Sequence, residues 1–287
     1  MVQQDFSSPW KALADRWEML YTPPGRPSEE AIEFYKEFAK DATCGLKRKP
    51  RGLVLGATPE LRDLLAEMKW EAVMIDVNLE MIEAMSALLK RNNPNEVIVK
   101  GDWIENPLRS GYFDAVFGDL VLANVPWSLQ GAFLKNVRRV LRPGGAFITK
   151  VEVVKKDTLK VSGEELLRQY ASMPQYRNKA MELFCYLLHI VSWNKRTHLA
   201  DTKRMKQWMK KYKKGAQYVH KNKEAERLLN LIWKMWEPMV KTWGVGTEKE
   251  LRGKVTKYFR IVNTRILADC RVQIVRESFP LWYLRAK

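Results

Sequence analysis

At 287 residues, with 46% hydrophobic and 11% aromatic content, the chain has material for one large α/β domain with insertions or two modest ones, and its composition excludes the disordered class. No apolar run approaches the ~20 residues that cross a bilayer, and Met1-Val-Gln-Gln-Asp-Phe6 lacks the charged-then-apolar pattern of a signal peptide. The formal net charge of +17 is confined to one half: residues 1–150 hold 20 basic and 20 acidic residues, and the remaining 30 basic and 13 acidic residues (30 − 13 = +17) lie in 151–287.

Any anionic partner is therefore expected to meet the C-terminal half. Cys44, Cys185 and Cys270 are widely separated and suit a reducing cytoplasm, which is the expected location. His189, His198 and His220 have no ligand-like spacing, so no metal site is expected.

The spacing of Trp10, Leu13, Trp17 and Leu20 predicts an amphipathic helix over 9–20, broken by Pro23-Pro-Gly25. Ser28, followed by Glu29 and Glu30, reads as the cap and acidic first turn of a helix to about Lys40. From Gly52 onward strands and helices alternate. Strands are predicted at 52–56, 72–76, 96–100, 113–118 and 146–153, and helices at 59–68, 79–91 and 128–140, with a short turn near 104–108 and a Pro143-Gly-Gly145 turn into the fifth strand. Strict alternation implies a parallel sheet with right-handed crossovers.

After Val154 the rhythm becomes helical through residue 242. Thr247-Glu-Lys-Glu250 reads as a capping box opening a further helix, and 258–266 and 279–285 read as two final strands joined by a turn-rich connector. The sheet is thus interrupted by a helical insertion and then completed.

Five places in order, from Arg51 to Ala146, carry the pattern of a nucleoside-cofactor site. Arg51-Gly-Leu-Val-Leu-Gly-Ala-Thr-Pro-Glu-Leu61 is a strand, a bend at Gly56 and a helix opening at Thr58-Pro59, which bares backbone N–H groups and a helix N-terminus. Thr58 and Pro59 are also ordinary helix-start chemistry. Asp76 ends the second strand about twenty residues later, where a carboxylate accepts bonds from both ribose hydroxyls. Val97-Ile-Val-Lys-Gly-Asp-Trp103 ends the third strand on Asp102, a candidate acceptor for an adenine amino group, with Trp103 as a flat wall. Tyr112-Phe-Asp-Ala-Val-Phe-Gly-Asp119 ends the fourth on a further acid, and Val140-Leu-Arg-Pro-Gly-Gly-Ala146 leads into the fifth.

In this order the residues resemble the class I S-adenosylmethionine-dependent methyltransferases, closely over 51–154, with 246–287 fitting that family's last helix and final two strands. The resemblance implies a Rossmann-like α/β sheet, mostly parallel with an antiparallel last strand. It divides the chain into an N-terminal helical cap (1–50), a cofactor core (51–154), a basic helical insertion (155–245) and a completing segment (246–287).

It also implies S-adenosylmethionine as cofactor, held by Leu55, Gly56, Ala57 and Thr58 against its methionine part, Asp76 and Val77 at the ribose, and Gly101, Asp102 and Trp103 at adenine. Met81 is placed like the apolar residue against the adenine ring, although core packing explains it equally. Asp119 and Leu120 border the reacting methyl. Asp119 is the candidate for orienting a nucleophile, with anchoring of the cofactor's amino group as the competing role. Ala57 and Thr58 replace the family's usual glycines, and Leu-Gly-x-Thr-Pro-Glu-Leu marks a subgroup with no assigned acceptor. Leu120-Val-Leu-Ala-Asn-Val-Pro-Trp127 stands where an Asn-Pro-Pro-Tyr type sequence would serve amino-methylation of adenine or glutamine.

In the insertion, residues 195–223 hold eleven Lys or Arg against one acid, Asp201. Met205, Trp208, Met209 and Tyr212 share one helical face; Lys203, Arg204, Lys206, Lys210, Lys211, Lys213 and Lys214 occupy the rest. A helix packed on the core with a solvated lysine face competes with a lid over an anionic small substrate, a nucleic-acid surface and a peripheral membrane contact. Trp233, Trp236 and Trp243 fit an apolar pocket or a helical core, and the Trp10/Trp17 helix with Tyr21 fits a cofactor cover or simple packing.

The leading expectation is methyl transfer to a small, anionic or amphipathic acceptor. Its rivals are an RNA or DNA methyltransferase docking through the basic insertion, a non-catalytic cofactor-binding scaffold and, more weakly, a hydride-transfer enzyme.

Overall fold

The computed structural model describes residues 17–215, 221–237 and 240–287. Trp10, Leu13 and His220 lie outside them. After a helical stretch at Trp17–Leu20 come α1 (Glu29–Ala42), β1 (Arg51–Leu55), α2 (Pro59–Glu67), β2 (Glu71–Asp76), α3 (Leu79–Ser86), β3 (Glu96–Lys100), β4 (Phe113–Asp119), α4 (Gln130–Val140) and β5 (Leu141–Lys150). The insertion then contributes α5 (Gly163–Ser172), α6 (Lys179–Leu187), a π-helical turn (Leu188–Ser192), α7 (Thr202–Gly215) and α8 (Lys223–Trp236). The chain ends with α9 (Glu248–Val255), β6 (Phe259–Arg265), α10 (Gln273–Ser278) and β7 (Leu281–Ala286).

The seven strands lie in the order β6-β7-β5-β4-β1-β2-β3. Pairings from β5 through β4, β1 and β2 to β3 are parallel, while β7 runs antiparallel to both β5 and β6. The α/β fold is therefore the Rossmann-like sheet expected, with a helical insertion after β5.

Because alternate strand residues face opposite sides, Val54, Met74, Phe117 and Ile148 meet α1, α2 and the insertion, whereas Leu53, Ile75, Val116 and Phe147 meet α4 and α9. Ser28 Oγ accepts from Ala31 N to open α1, and Thr247 with Glu250 completes the capping box of α9. Two buried ion networks set register. Asp114, fully buried in β4, accepts two bonds from Arg48, one from Arg51 N and an ion pair from Arg142. Arg62 of α2 makes two bonds to Glu96 and one to Ser86, joining α2, α3 and β3.

Several boundaries differ from expectation for local reasons. α3 stops at Ser86 rather than 91, because Asp63 of α2 takes the Lys90 and Arg91 N–H groups out of the helical pattern. β5 begins at Leu141, and the Pro-Gly-Gly segment bulges between the Phe113–Leu141 and Ala115–Ala146 pairs, with Gly144 at φ +70. It ends at Lys150; Val153–Val154 instead pairs with Gly246–Thr247. No helical turn forms at 104–108. The connector between the last strands holds α10, and the insertion carries a short strand, Leu199–Asp201, paired with Thr242–Gly244.

α7 packs through its Met/aromatic stripe: Met205, Met209 and Tyr212 are buried and Trp208 half-buried, with Gly163 of α5 leaving the space its indole fills. Lys203, Arg204, Lys210 and Lys211 are exposed, and Lys206 Nζ donates to Glu237 O at 2.9 Å. Trp236 and Trp243 are likewise buried, at 3% and 6% exposure. Among the described residues no helix is long and apolar enough to cross a membrane.

At the carboxyl end of the sheet the Tyr35 hydroxyl donates to Gly118 O at 2.8 Å and accepts from Lys150 N at 2.9 Å, bridging β4 and β5 where they part. Tyr35→Phe leaves both buried backbone groups without that partner. It should cost about 1–3 kcal/mol, read as a lower urea midpoint with unchanged m-value.

Candidate active site

The carboxyl ends of β1, β2 and β4 converge beside the start of α2. Gly56 sits at φ +84, a conformation that costs a side-chain-bearing residue roughly 1–2 kcal/mol. Its N–H donates to Ile75 O at 2.9 Å, which binds the bend to β2. A methyl group at this glycine would meet the Trp103 indole at 3.4 Å and Asp76 Oδ2 at 3.8 Å, so Gly56, Asp76 and Trp103 share one small space. Thr58 occupies the N-cap position with Pro59 behind it, but its side chain makes no capping bond, which leaves the first N–H groups of α2 directed at the same space.

Asp76 Oδ1 accepts from Asn78 N at 2.8 Å. Asn78 in turn caps α3 by accepting from Met81 N at 3.0 Å, so the carboxylate is held by the loop it begins. Burial raises the Asp76 pKa to about 6 against the bonds from Asn78 and Val77 and the charge of Lys241. Asp119, 9% exposed, is also raised to about 6 by burial, opposed by the Lys150 ammonium 3.2 Å from Oδ1. The Tyr35 hydroxyl lies 3.4 Å from the same oxygen. Lys150 has no exposed side-chain surface and spends a further N–H on Arg26 O at 2.9 Å.

The remaining expected residues fall into three groups. Leu55 and Ala57 are buried at the bend, and Leu120, at φ +56, turns the chain away from β4. Val77 is 43% exposed and Met81 half-buried on the α3 side of Asp76. Gly101 N donates to Asp76 O at 3.0 Å, but Asp102 is exposed, with Oδ1 accepting from Ile104 N at 2.5 Å and Glu105 N at 3.2 Å. Asp102 is thus bound to its own turn and open to solvent. Trp103 is a buttress more than an open wall: its Nε1 donates to Ile75 O at 2.9 Å and its backbone carbonyl accepts from Asn136 of α4.

Trp17 and Tyr21, expected as a cofactor cover or simple packing, lie against the start of α2, while Glu152 and Lys241 went unmarked in the sequence. Trp17 Nε1 donates to Glu60 Oε1 at 3.2 Å in the first turn of α2, and Tyr21 stacks on Trp17 and edges onto Trp236. The Tyr21 hydroxyl is buried within electrostatic range of Cys185, Asp119 and Glu152, and burial lifts its pKa. Glu152, just past β5, is 2.8 Å from His189 Nε2, both nearly fully buried. Lys241 lies near Glu152 and Asp76, and loss of water around its ammonium lowers its pKa to about 8. One signal was available: His189 is a lone polar residue in the apolar run Cys185-Tyr-Leu-Leu-His-Ile-Val191.

Residues 56–145 match the family model described as a methyltransferase domain. The chain is an S-adenosylmethionine-dependent methyltransferase with the class I fold. Among solved structures, the CcbJ methyltransferase from Streptomyces caelestis shares 12% identity with a TM-score of 0.56, covering 96% of this chain and 96% of that one. The glycopeptide N-methyltransferase MtfA, complexed with S-adenosyl-L-homocysteine, shares 12% at a TM-score of 0.50 over 91% and 92% of the two chains. N-methyltransferase NodS from Bradyrhizobium japonicum WM9, in the same type of complex, shares 13% at 0.50 over 97% and 99%. No curated protein sequence matches this chain.

The site of this methyltransferase fits its cofactor by its own chemistry: a bend without a side chain, open helix N–H groups, and a carboxylate beside them. The raised Asp76 and Asp119 values give a pH expectation. Hydrogen-bond donors and cationic groups of the cofactor favour the carboxylate forms, so binding below pH 6 must expel protons that the free protein carries. Affinity for S-adenosylmethionine should be flat above that pH and fall by about tenfold per unit below it for each carboxyl involved. Calorimetry across pH 4.5 to 8 (about that window) reads the slope, and Asp76→Asn should flatten it.

Proposed function

We propose that this methyltransferase acts on a small molecule received between the strand ends and helices α5 to α8. The observation that carries the reading is the placement of the insertion. Its aromatic cluster meets the N-terminal segment through Trp236 and Tyr21, His189 meets Glu152 just past β5, and Lys203, Arg204, Lys210 and Lys211 are exposed. That placement favours an acceptor received beside the strand ends over a broad open docking face. The N-methyltransferase labels of two structural relatives agree with a small or peptide-like acceptor without assigning one.

In this reading residues 1–50 form the cap, 51–154 the cofactor core, 155–245 the acceptor region and 246–287 the completing segment. The Leu55–Thr58 backbone holds the methionine part and Asp76 the ribose. Val77, Met81 and the Gly101–Trp103 turn border adenine, with Asp102 at its amino group. Asp119 and Leu120 border the end that reacts. When bound, S-adenosylmethionine supplies a methyl group on a sulfonium, a carbon already activated for displacement.

The protein's task is then alignment and exclusion of water, and good alignment is worth roughly 7–11 kcal/mol of barrier. Asp119 serves as an anchor for a cationic group: Lys150 and Tyr35 already engage Oδ1, which disfavours its taking a proton from an acceptor.

Parallel titrations with S-adenosylmethionine and NAD(H) test the reading, with binding expected only for the first. Asp76→Ala should weaken that binding tenfold or more, since bonds to a charged acceptor are worth about 1.5–3 kcal/mol. Gel shifts with RNA and DNA at physiological salt should show no complex. A shift there would move the acceptor class to nucleic acid, docked through the exposed Lys203, Arg204, Lys210 and Lys211.

A further inference from the structure

We infer that His189, oriented by Glu152, is the proton acceptor of this site, and that the acceptor molecule is an aromatic hydroxyl compound methylated on oxygen. The inference rests on the methyltransferase reading above and deepens it. Three independent features carry it.

The first is the pair itself. Glu152 follows β5 of the core, and His189 lies in the π-helical turn of the insertion, a distortion that recurs at functional positions. Their side chains, 5% and 1% exposed, meet at 2.8 Å. With Nε2 sharing its proton with Glu152, Nδ1 is the nitrogen left to accept another, and the carboxylate stabilises the imidazolium so formed. Phe279 stacks on the ring, at 6.2 Å between centroids, and fixes its plane. Cys185, one turn earlier on the same helix, and the Tyr21 hydroxyl both lie within electrostatic range of Glu152, and Tyr21 also of Asp119.

The second is the aromatic cluster over the same strand ends. Phe184 stacks on Trp236 at 4.8 Å, Trp236 meets Trp243 edge-on at 5.3 Å, and Tyr21 meets Trp236 at 6.0 Å. Within it the Trp236 Nε1–H is buried and has no hydrogen-bond partner among the described residues. A buried indole donor without an acceptor is costly, and a ligand oxygen is the group that satisfies it. Flat walls and an oxygen-seeking donor suit an aromatic compound bearing oxygen.

The third is Lys241, whose ammonium lies near Glu152 and Asp76 and 5.2 Å from the Trp243 ring centroid. A phenol (pKa about 10) ordinarily holds its proton more tightly than imidazolium (about 6.5). A cation beside the site narrows that gap by stabilising the phenolate, and it works against a cationic amine acceptor.

The step balances. The acceptor hydroxyl gives its proton to His189 Nδ1 and keeps the bonding pair on oxygen. That oxygen pair forms the new O–CH3 bond while the methyl–sulfur pair leaves on sulfur, and the imidazolium later returns its proton to solvent.

The probe is para-nitrophenol, whose phenolate has its own absorption band, titrated into the protein with S-adenosyl-L-homocysteine so that no turnover is needed. The bound phenol should ionise at least one pH unit below its value in buffer. His189→Gln should abolish most of that shift with S-adenosylmethionine affinity unchanged within about twofold, and Glu152→Gln should reduce it. Should His189→Gln fail to fold, isotope-labelled histidine NMR of the unaltered protein answers the same question: the chain has 3 histidines, and His189 should become imidazolium when the phenol binds.

Cofactor binding together with an unshifted probe, a shift that survives His189→Gln, or a neutral His189 in the complex would each overturn the inference and leave the methyltransferase reading standing. Absence of S-adenosylmethionine binding by the unaltered protein would instead remove that reading.

Discussion

Much of the active end of this protein depends on one buried ion pair. Lys150 and Asp119 close adjacent parallel strands, and neither has access to water that would make a lone charge tolerable. Breaking such a pair by removing one member typically costs 3–5 kcal/mol (about that range), because the other charge stays stranded. The pair therefore requires the groups that complete it. Tyr35 from α1 supplies a hydroxyl between the strands, and the Arg26 carbonyl takes a second Lys150 N–H. Arg26 in turn reaches Glu60 at 3.5 Å in the first turn of α2. A single requirement, that no charge at the strand ends be left unpaired, thus draws the segment before α1 over the start of α2.

The insertion is held to the core by the same logic. Glu182 in α6, with no exposed surface, accepts from the Tyr170 and Tyr176 hydroxyls and from the backbone N–H groups of Arg271 and Val272. Gln130 at the start of α4 donates to Leu122 O and Gly244 O, joining the loop after β4 to the strand that returns from the insertion. Each joint is a buried polar group bonded across the boundary; Glu182 is engaged at both oxygens, whereas Gln130 bonds through its amide nitrogen alone, and such networks rigidify and specify geometry as they are completed. An insertion fastened at these places is held in a fixed position on the core. The lysine excess of the C-terminal half is then the solvent side of helices whose other side is fully committed.

The alternation of strands, the order of strand-end acids and the capping residues were legible because each is local: Gly56, Asp76 and Asp119 mark strand ends wherever the period changes from two to 3.6 (about one helical turn). Thr247 and Glu250 likewise announced, within the four residues of a capping box, the helix Glu248–Val255. What stayed hidden was long-range. Nothing beside Lys150 in sequence says that it will be buried, since its partners come from positions 26, 35 and 119. The Pro-Gly-Gly bulge, the early end of α3 and the lid strand at Leu199–Asp201 are each decided by a distant partner, respectively β4, Asp63 and Thr242–Gly244. Asp102 shows the converse: a strand-end acid where the pattern requires one, yet its nearest obligations are to its own turn.

The electrostatics of the strand ends also bear on turnover. Asp76, Asp119 and Glu152 outnumber Lys150 and Lys241 there, while Glu60 is offset by Arg26. Loss of water lifts the Asp76 and Asp119 pKa values to about 6 against the pull of Lys241 and Lys150, and the same dryness strengthens the field of the excess carboxylate. A sulfonium is attracted to such a field, and the thioether left after methyl loss is not. The same carboxylates that gather the cofactor therefore hold the spent form less tightly, and the charge lost in the reaction weakens the grip on product without any movement of the lid.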